Sequence, residues 1–162
     1  MELTKSVTRR AFSMSGLAGL AALSLPLQSL GQESAVVGRF GSADEEKANV
    51  KVVEQFCAAW SHKDLDTIAS LLADDCSFRS NQKSPPVVGK QMVTERFKGD
   101  FARASFELKI LKAVGLGPVV LTQRDDIITP LNGNASRTIR IAAGMFFVDN
   151  GKIVEWTDFG LR

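Results

Sequence analysis

Two short segments of this chain carry the side chains best suited to acid–base chemistry. Arg124, Asp125 and Asp126 interrupt an apolar segment that is typical of a β-strand, and Trp156 and Asp158 lie in the last such segment. Residues two apart on a strand share a face. Arg124 and Asp126 are therefore expected to point one way and Asp125 the other, while Trp156 and Asp158 share a face. If both of these faces line one pocket, it holds an arginine, two carboxylates and an indole.

Such a cluster can perform acid–base chemistry near neutral pH. Two neighbouring carboxylates cannot both ionise cheaply, so one pKa rises, while a shared arginine keeps the other group ionised. One residue type then supplies both an acid and a base. The alternative is a structural salt-bridge network in a binding cavity, because buried ion pairs need no catalytic purpose. Trp156 fits either the core or the wall of a pocket.

Nucleophilic and metal chemistry have little support in the sequence. His62 is the only histidine and falls at a polar helix end, so a Ser-His-Asp or Cys-His scheme has no suitable base. Cys57 and Cys76 have no metal-ligand spacing, and no metal site is predicted. Cys57 lies on an apolar helical face, where a free buried thiol is the commoner state. Two cysteines in an exported protein would nevertheless permit one disulfide.

The first 31 residues have the features of a signal peptide. Arg9 and Arg10 resemble a twin-arginine export signal, and the apolar run from Met14 to Leu25 is too short to span a bilayer. We therefore expect export to the periplasm or the medium, with no stable membrane anchor after the leader is removed. Residues 32–41 read as a linker, and residues 42–162 as one domain.

The charge distribution also excludes one class of partner. The whole chain has a formal net charge of +2. The leader alone, with one glutamate, one lysine and two arginines, has the same net charge of +2. The remaining domain is neutral and has no basic patch. Nucleic acid is therefore not expected as a partner.

Three helices are predicted in the first half of the domain. Ser42 and Glu45 form a capping-box pattern before a helix that runs to about His62. Asp64 is placed to cap a second helix, whose apolar stripe extends through Leu72 and which ends at Asp74-Asp75. Gly89 precedes a third helix.

Strands follow, and the apolar period changes from 3.6 to 2. Cys76–Phe78 reads as the start of a short strand before the helix at Gly89, and four longer strands come after that helix. On the longest predicted strand, one face carries Ile139, Ile141, Ala143, Met145 and Phe147. On the last predicted strand, alternation places Val154 on the same face as Trp156. This order predicts an α+β domain with a curved mixed or antiparallel sheet around three N-terminal helices.

Together these features resemble a known superfamily. The helix order and the closing segment Gly151–Asp158 resemble the cone-shaped fold of nuclear-transport-factor-2-like proteins. Arg124-Asp125-Asp126 and Trp156-Thr157-Asp158 resemble the Arg-x-Asp and Trp-x-Asp motifs of limonene epoxide hydrolase. The resemblance implies cofactor-free hydrolysis of a small apolar epoxide to a diol. It also implies that Asp158 is the base, Asp126 the acid and Arg124 the bridge between them.

The sequence departs from that family at the water site. There a Tyr and an Asn two residues apart help to hold the water, whereas Phe78 and Ser80 occupy the matching positions here and the chain contains no tyrosine. Asn81 would supply an amide only if a bulge turned it inward. Phe78, Ser80, Asn81 and Trp156 are thus the predicted substrate- and water-binding residues.

Two other functions stay open on the same fold. One is an isomerase or cyclase that uses Asp126 or Asp158 as a base beside a carbonyl. Isomerases of the ketosteroid type use a tyrosine in this reaction. Because this chain contains no tyrosine, the isomerase function is less favoured. The other is a non-catalytic module that binds a small apolar ligand.

A homodimer is also predicted. Val119, Leu121 and Ile127 oppose the pocket-facing residues of their strand, so both sheet faces carry apolar side chains. Helices can cover only one face, which leaves the other for a second subunit.

Overall fold

A computed structural model describes residues 41–160 of the chain. The predicted signal peptide at residues 1–31 and nearly all of the predicted linker lie outside the described residues. Export therefore stays a prediction. Among the described residues, no helix is long and apolar enough to cross a membrane.

Three helices pack against one sheet. They are α1 (Ala43–Ser61), α2 (Leu65–Leu71) and α3 (Lys90–Phe101). The predicted capping box of α1 is confirmed: Glu45 N donates to Ser42 Oγ at 3.2 Å, and Ser42 N donates to Glu45 Oε2 at 3.4 Å. Asp64 caps α2 as predicted, accepting from Thr67 N at 3.0 Å. These caps satisfy N–H groups that a helix start leaves unpaired.

The sheet is curved, mixed and unclosed, and contains six strands in the order β2-β1-β6-β5-β4-β3. Their bounds are β1 (Leu72–Arg79), β2 (Val87–Val88), β3 (Ala104–Leu116), β4 (Val119–Pro130), β5 (Arg137–Asp149) and β6 (Lys152–Gly160). Only β1 and β6 pair in parallel among these strands. The α+β class predicted from the sequence is confirmed.

The end of the second helix was predicted wrongly. α2 ends at Leu71, and Leu72 is already extended and pairs with Ile153 of β6. Asp74 and Asp75 lie inside β1 as exposed residues and do not end the helix. The apolar spacing of Leu72 fits a helix and a strand equally well, and pairing with a distant strand decides between them. The short strand β2 after Pro86 was not predicted either.

Two β-bulges change which side chains face the core. The register of β5 shifts between Ile141 and Ala143, so Gly144, Phe146 and Val148 face inward instead of Met145 and Phe147. Since a bulge inserts one residue, it reverses the alternation beyond it.

The second bulge lies in β6. Its register shifts between the pairs Phe147–Glu155 and Val148–Ile153, and Ile153 rather than Val154 joins the buried core beside Trp156. Strict alternation had placed Val154 there. Trp156 and Asp158 lie beyond the bulge and keep the shared face that was predicted for them.

An aromatic cluster fills the space between the helices and the inward face of the sheet. Phe56 and Trp60 of α1 contact Phe97 of α3, and Phe146 stacks on Trp156 with ring centroids 5.3 Å apart. All five rings are buried. This packing fixes Trp156, and through it the adjacent part of β6.

The outward face of the sheet carries apolar side chains as well. Leu116, Val119 and Phe147 are aligned across three strands, and none of them is fully buried. Leu116 remains 54% exposed. The homodimer predicted from this face stays a prediction.

Candidate active site

A cavity of about 580 Å³ lies between the helices and the inward face of the sheet. Asp126, Asp158, Trp156 and Phe78 line its inner end. The side walls are apolar and include Phe106, Leu108, Ile128, Ile139 and Ile141. A mostly apolar cavity with a few converging polar groups is the usual form of a small-molecule site.

Arg124 joins two carboxylates that come from different strands. Its Nε donates to Asp126 Oδ1 at 2.8 Å, and its Nη2 donates to Asp158 Oδ2 at 2.6 Å and to Asp126 Oδ2 at 3.3 Å. The Arg124 side chain is 0% exposed, against 15% for Asp126 and 9% for Asp158. The alternation on β4 and β6 correctly predicted that these three residues share one face.

A glycine makes this bridge sterically possible. β5 lies between β4 and β6, and its Gly144 pairs with Thr122 on one side and Asp158 on the other. A Cβ at Gly144 would collide with Nη1 of Arg124. Because no side chain is present, the guanidinium of Arg124 lies over β5 and reaches Asp158 two strands away.

The remaining hydrogen-bonding groups of the cluster have partners. Nη1 of Arg124 donates to Thr122 Oγ1 at 3.2 Å, and the indole Nε1 of Trp156 donates to Asp158 Oδ1 at 2.7 Å. The Arg124 guanidinium carbon also lies 5.3 Å from the Trp156 ring centroid, within the range of a cation–π contact. Within residues 41–160, no buried side-chain N or O atom lacks a partner.

Burial and charge oppose each other in this cluster. Burial raises the pKa of both Asp126 and Asp158, and Arg124 offsets only part of that rise. For Arg124, burial alone would lower the pKa, but the nearby Asp158 and Asp126 outweigh it and the pKa is raised. Arg124 is therefore always charged, and a proton is held more readily on the pair of carboxyls than on ordinary aspartates.

Asp125 is on the opposite face, as the strand pattern predicts. It accepts from Arg140 Nε at 2.9 Å, and the Arg140 side chain is 60% exposed. Its hydrogen bond with Arg140 lowers the pKa of Asp125. This pair is a surface ion pair outside the cavity.

The structure brings three of the four predicted substrate- and water-binding residues to the cavity: Phe78, Ser80 and Trp156. Phe78 is 6% exposed, lines the cavity and packs 4.7 Å from Trp156, measured between ring centroids. Phe78 pairs with Trp156 in the parallel ladder between β1 and β6, and Ser80 follows the last paired residue of β1, Arg79, as an exposed residue. Ser80 also lines the cavity and donates a hydrogen bond to Ser84.

Asn81 is not brought to the cavity. It is exposed in the turn after β1, where its Oδ1 accepts from the backbone N–H of Lys83 at 2.9 Å and its Nδ2 donates to Ser84 Oγ at 2.7 Å. The bulge that would turn Asn81 inward is not formed, because its side chain stabilises this turn. The prediction of Asn81 as a water ligand is therefore not supported by its position.

The sequence does not reveal how the residues around the cluster support it. The period of two places Thr122 on the inward face of β4 with Arg124, but it does not predict their hydrogen bond. Gly144 had no signal in the sequence, because its role depends on the bulge in β5. The exposed arginines around the outer end of the cavity, Arg96, Arg103 and Arg137, belong to no motif.

The cysteines and the histidine lie outside this chemistry. Cys57 and Cys76 are free and buried, and burial raises the pKa of the Cys57 thiol to about 12. His62 is exposed at the end of α1, where its Nδ1 lies 2.7 Å from Ala58 O. Within the described part of the chain, no group of three or more His, Cys, Asp or Glu residues is arranged to hold a metal ion.

Comparison with known proteins gives a family match and similarity to epoxide hydrolases. The family model of the limonene-1,2-epoxide hydrolase catalytic domain matches residues 47–160. Epoxide hydrolase EphG of Mycobacterium tuberculosis is 35% identical over 111 residues, which are 66% of this chain and 69% of EphG. The solved structure of an LEH-like epoxide hydrolase from M. tuberculosis has a TM-score of 0.66 at 28% identity, covering 72% of this chain and 85% of that one.

More distant structures share the fold alone. A putative polyketide cyclase from Xanthomonas campestris pv. campestris superposes with a TM-score of 0.64 at 15% identity, covering 70% of this chain and 90% of that one. At that identity the likeness says nothing about the reaction.

Proposed function

Because the chain belongs to the limonene-1,2-epoxide hydrolase catalytic domain family, we propose that it hydrolyses an epoxide to a diol by direct attack of water. The observation that carries this proposal is the sharing of Arg124 by a buried carboxylate, Asp158, and a partly buried one, Asp126, in a cavity with apolar walls. The cluster has a base, an acid and a permanent cation. Ring opening needs all three functions at once: an activated nucleophile, a proton for the leaving oxygen and stabilisation of charge.

Asp158 takes the role of the base. Both of its oxygens accept short hydrogen bonds, 2.6 Å from Arg124 and 2.7 Å from Trp156. Donors that point at a carboxylate favour its charged form. In the reaction Asp158 removes a proton from the water as the water oxygen bonds to an epoxide carbon.

Asp126 takes the role of the acid. Asp126 Oδ1 accepts a hydrogen bond of 2.8 Å from Arg124 Nε. Asp126 Oδ2 accepts a longer one, 3.3 Å from Arg124 Nη2, and is therefore the more weakly hydrogen-bonded oxygen of this carboxyl. Burial raises the pKa of Asp126, so its carboxyl holds a proton more readily than an ordinary aspartate does. It gives this proton to the epoxide oxygen as the C–O bond breaks.

The proton balance closes without a cofactor. One proton passes from water to Asp158 and one from Asp126 to the product hydroxyl. The site is restored when Asp158 releases its proton and Asp126 regains one, by way of solvent in the cavity. Arg124 holds the same charge throughout and keeps the two carboxyls in place.

Few side chains in the cavity are placed to hold the attacking water. Ser80 is the hydroxyl-bearing side chain among the described residues that line the cavity, and it directly follows β1, which pairs with β6 as far as Thr157. Phe78 occupies a position facing Trp156 and has no hydrogen-bonding group. We propose that Asp158 and Ser80 orient the attacking water.

The test is diol formation from a panel of small epoxides by the purified protein, followed by a single turnover in ¹⁸O-enriched water. Direct attack of water predicts that the diol from the first turnover carries one labelled oxygen. An unlabelled diol would show instead that a carboxylate attacks first and that the proposed roles are wrong.

The same panel separates the other two functions. Conversion of an epoxide to a carbonyl product without diol would favour an isomerase. Saturable binding of the epoxides with no turnover would favour a ligand-binding module. Either result would overturn the hydrolase assignment.

A further inference from the structure

The outer end of the cavity is strongly cationic, in contrast to its apolar walls. Arg96 and Arg103 come from α3 and the segment after it, and Arg137 begins β5. All three are exposed residues that line the same cavity as the buried cluster. Because the side chains of Asp126 and Asp158 are much less exposed than these arginines, the arginines lie toward the solvent side of the cavity.

Asp100 holds two of these guanidinium groups in place. Its Oδ2 accepts from Arg96 Nε at 3.0 Å and its Oδ1 accepts from Arg103 Nη2 at 2.7 Å. The Asp100 side chain is only 18% exposed, whereas Arg96 is 46% and Arg103 is 71% exposed. One carboxylate thus orients two cations, and each keeps further N–H donors for another acceptor.

The backbone fixes this arrangement to the neighbouring turn. Leu131 N donates to Arg103 O at 2.9 Å, which ties the turn between β4 and β5 to the end of α3. Arg137 follows that turn, and it makes no ion pair with any residue in 41–160. The cationic groups are therefore held around one opening.

The charges at this end are unbalanced. Arg96, Arg103 and Arg137 face only Asp100 as a counter-charge among the residues that line the outer end of the cavity. At the inner end, Arg124 is already balanced by Asp126 and Asp158. A surface arginine is ordinarily just solvated, but an excess of cations at the opening of an apolar cavity raises the local concentration of anions.

We propose that the substrate of this chain is an epoxide that bears a carboxylate at the end remote from the ring. The carboxylate lies among Arg103, Arg137 and Arg96, the hydrocarbon part lies along the apolar walls, and the epoxide reaches Asp126 and Asp158. Arginine matches a carboxylate through two parallel N–H donors, which favours this anion over a neutral polar group. The proposal rests on the hydrolysis proposed above and adds the class of substrate.

The test compares two substrates that differ only in charge: the terminal epoxide of undecenoic acid and its methyl ester. We expect kcat/KM for the acid to exceed that for the ester by roughly fivefold, the size expected for partly exposed ion pairs. Added salt should reduce the ratio of acid to ester, because salt screens exposed charges. Arg137→Gln and Arg103→Gln should each bring the ratio closer to one.

Arg140→Gln is the matched control. Arg140 lies on the same strand as Arg137, but it is exposed on the other face of the sheet, where it pairs with Asp125. We expect this variant to keep the wild-type ratio. An equal ratio in all four proteins, or equal rates for acid and ester in the wild type, would overturn the carboxylate proposal while leaving the hydrolase assignment intact.

A binding measurement separates the two proposals. Undecanoate, which has no epoxide, should bind the wild type in calorimetry, and its affinity should fall in Arg137→Gln and not in Arg140→Gln. If neither epoxide is hydrolysed but undecanoate binds in this way, the cationic opening is supported and the proposed hydrolysis fails. If undecanoate does not bind and the ester is the better substrate, the carboxylate proposal is wrong.

Discussion

Asp125 and Asp126, adjacent on β4, each pair with an arginine, and the two pairs differ mainly in the burial of the arginine. Asp126 pairs with Arg124 on the inward face of β4, and its neighbour Asp125 pairs with Arg140 on the outward face. The N–O distances are almost equal, 2.8 Å and 2.9 Å, yet Arg124 is 0% exposed and Arg140 is 60% exposed. Geometry alone therefore does not distinguish a reactive pair from a surface pair.

The two aspartates have opposite pKa shifts. The pKa of Asp126 rises, because desolvation outweighs its attraction to Arg124, and the pKa of Asp125 falls through its hydrogen bond with Arg140. The acid–base role proposed for Asp126 therefore depends on the burial of Arg124 and on its sharing with Asp158. The pair of Asp125 and Arg140 has neither feature.

The largest effect is expected from removing the base of the buried pair. Asp158→Asn keeps the shape of the side chain but cannot accept a proton, so diol formation should fall by about 10²- to 10⁴-fold. The rate is measured with the best epoxide of the panel, with folding checked by circular dichroism. Asp75→Asn, a change at an exposed carboxylate of β1, is the control and should retain activity.

Removing the cation should affect stability as well as activity. Arg124→Ala leaves two buried carboxyls without a counter-charge, and we expect the free energy of unfolding to drop by about 3–5 kcal/mol. Arg140→Ala removes the cation of the exposed pair and should change the urea midpoint very little. Similar losses in the two variants would mean that burial does not separate the pairs.

Filling the space at Gly144 should disturb the buried pair without changing any charge. Gly144→Ala places a methyl group against Arg124 and Thr122, and overpacking of this kind costs about 1–3 kcal/mol. Gly160→Ala, where an added Cβ meets no atom within 4 Å, is the matched control. If both variants unfold at the same urea concentration, the position of the Arg124 side chain does not require the space left by the missing side chain at Gly144.

The smallest effect concerns how stability changes with pH. A raised native pKa, as at Asp126, contributes stability that is present below the ordinary value of 3.8 and is lost as the pH rises through the native pKa. A lowered pKa, as at Asp125, contributes stability that is present above 3.8 and is lost as the pH falls through the native pKa.

Urea unfolding at a series of pH values measures how the two aspartates change the free energy of unfolding with pH. The stability of the wild type relative to Asp126→Asn should decline as the pH rises above 3.8. Relative to Asp125→Asn, it should instead decline as the pH falls below 3.8. A change of the same sign in both comparisons would contradict the opposite shifts.

Much of this site could be predicted from the sequence because it depends on local periodicity. The faces of Arg124, Asp125 and Asp126 follow from the alternation of a regular strand, and the capping box at Ser42 follows from a spacing of three. Trp156 and Asp158 share a face for the same reason. Such short patterns can be predicted because the backbone geometry of a single helix or strand determines which side chains share a face.

The features that were missed depend on contacts between distant strands. Pairing with β6 makes Leu72 extended, although its spacing fits the helix before it. The bulges in β5 and β6 reverse which residues face inward, and they place Ile153 and Phe146 in the core instead of Val154 and Phe147. Asn81 stays in its own turn because nearby groups satisfy its side chain.

The most direct test of the account is the diol-forming rate of Asp126→Asn measured beside that of Asp125→Asn. The two substitutions are adjacent and chemically identical, and they differ only in the face of β4 that they change. The account predicts that Asp126→Asn, correctly folded, loses activity by about 10²- to 10⁴-fold, whereas Asp125→Asn stays within a few-fold of the wild type. Full activity in folded Asp126→Asn would contradict it and would make the buried cluster a structural ion-pair network.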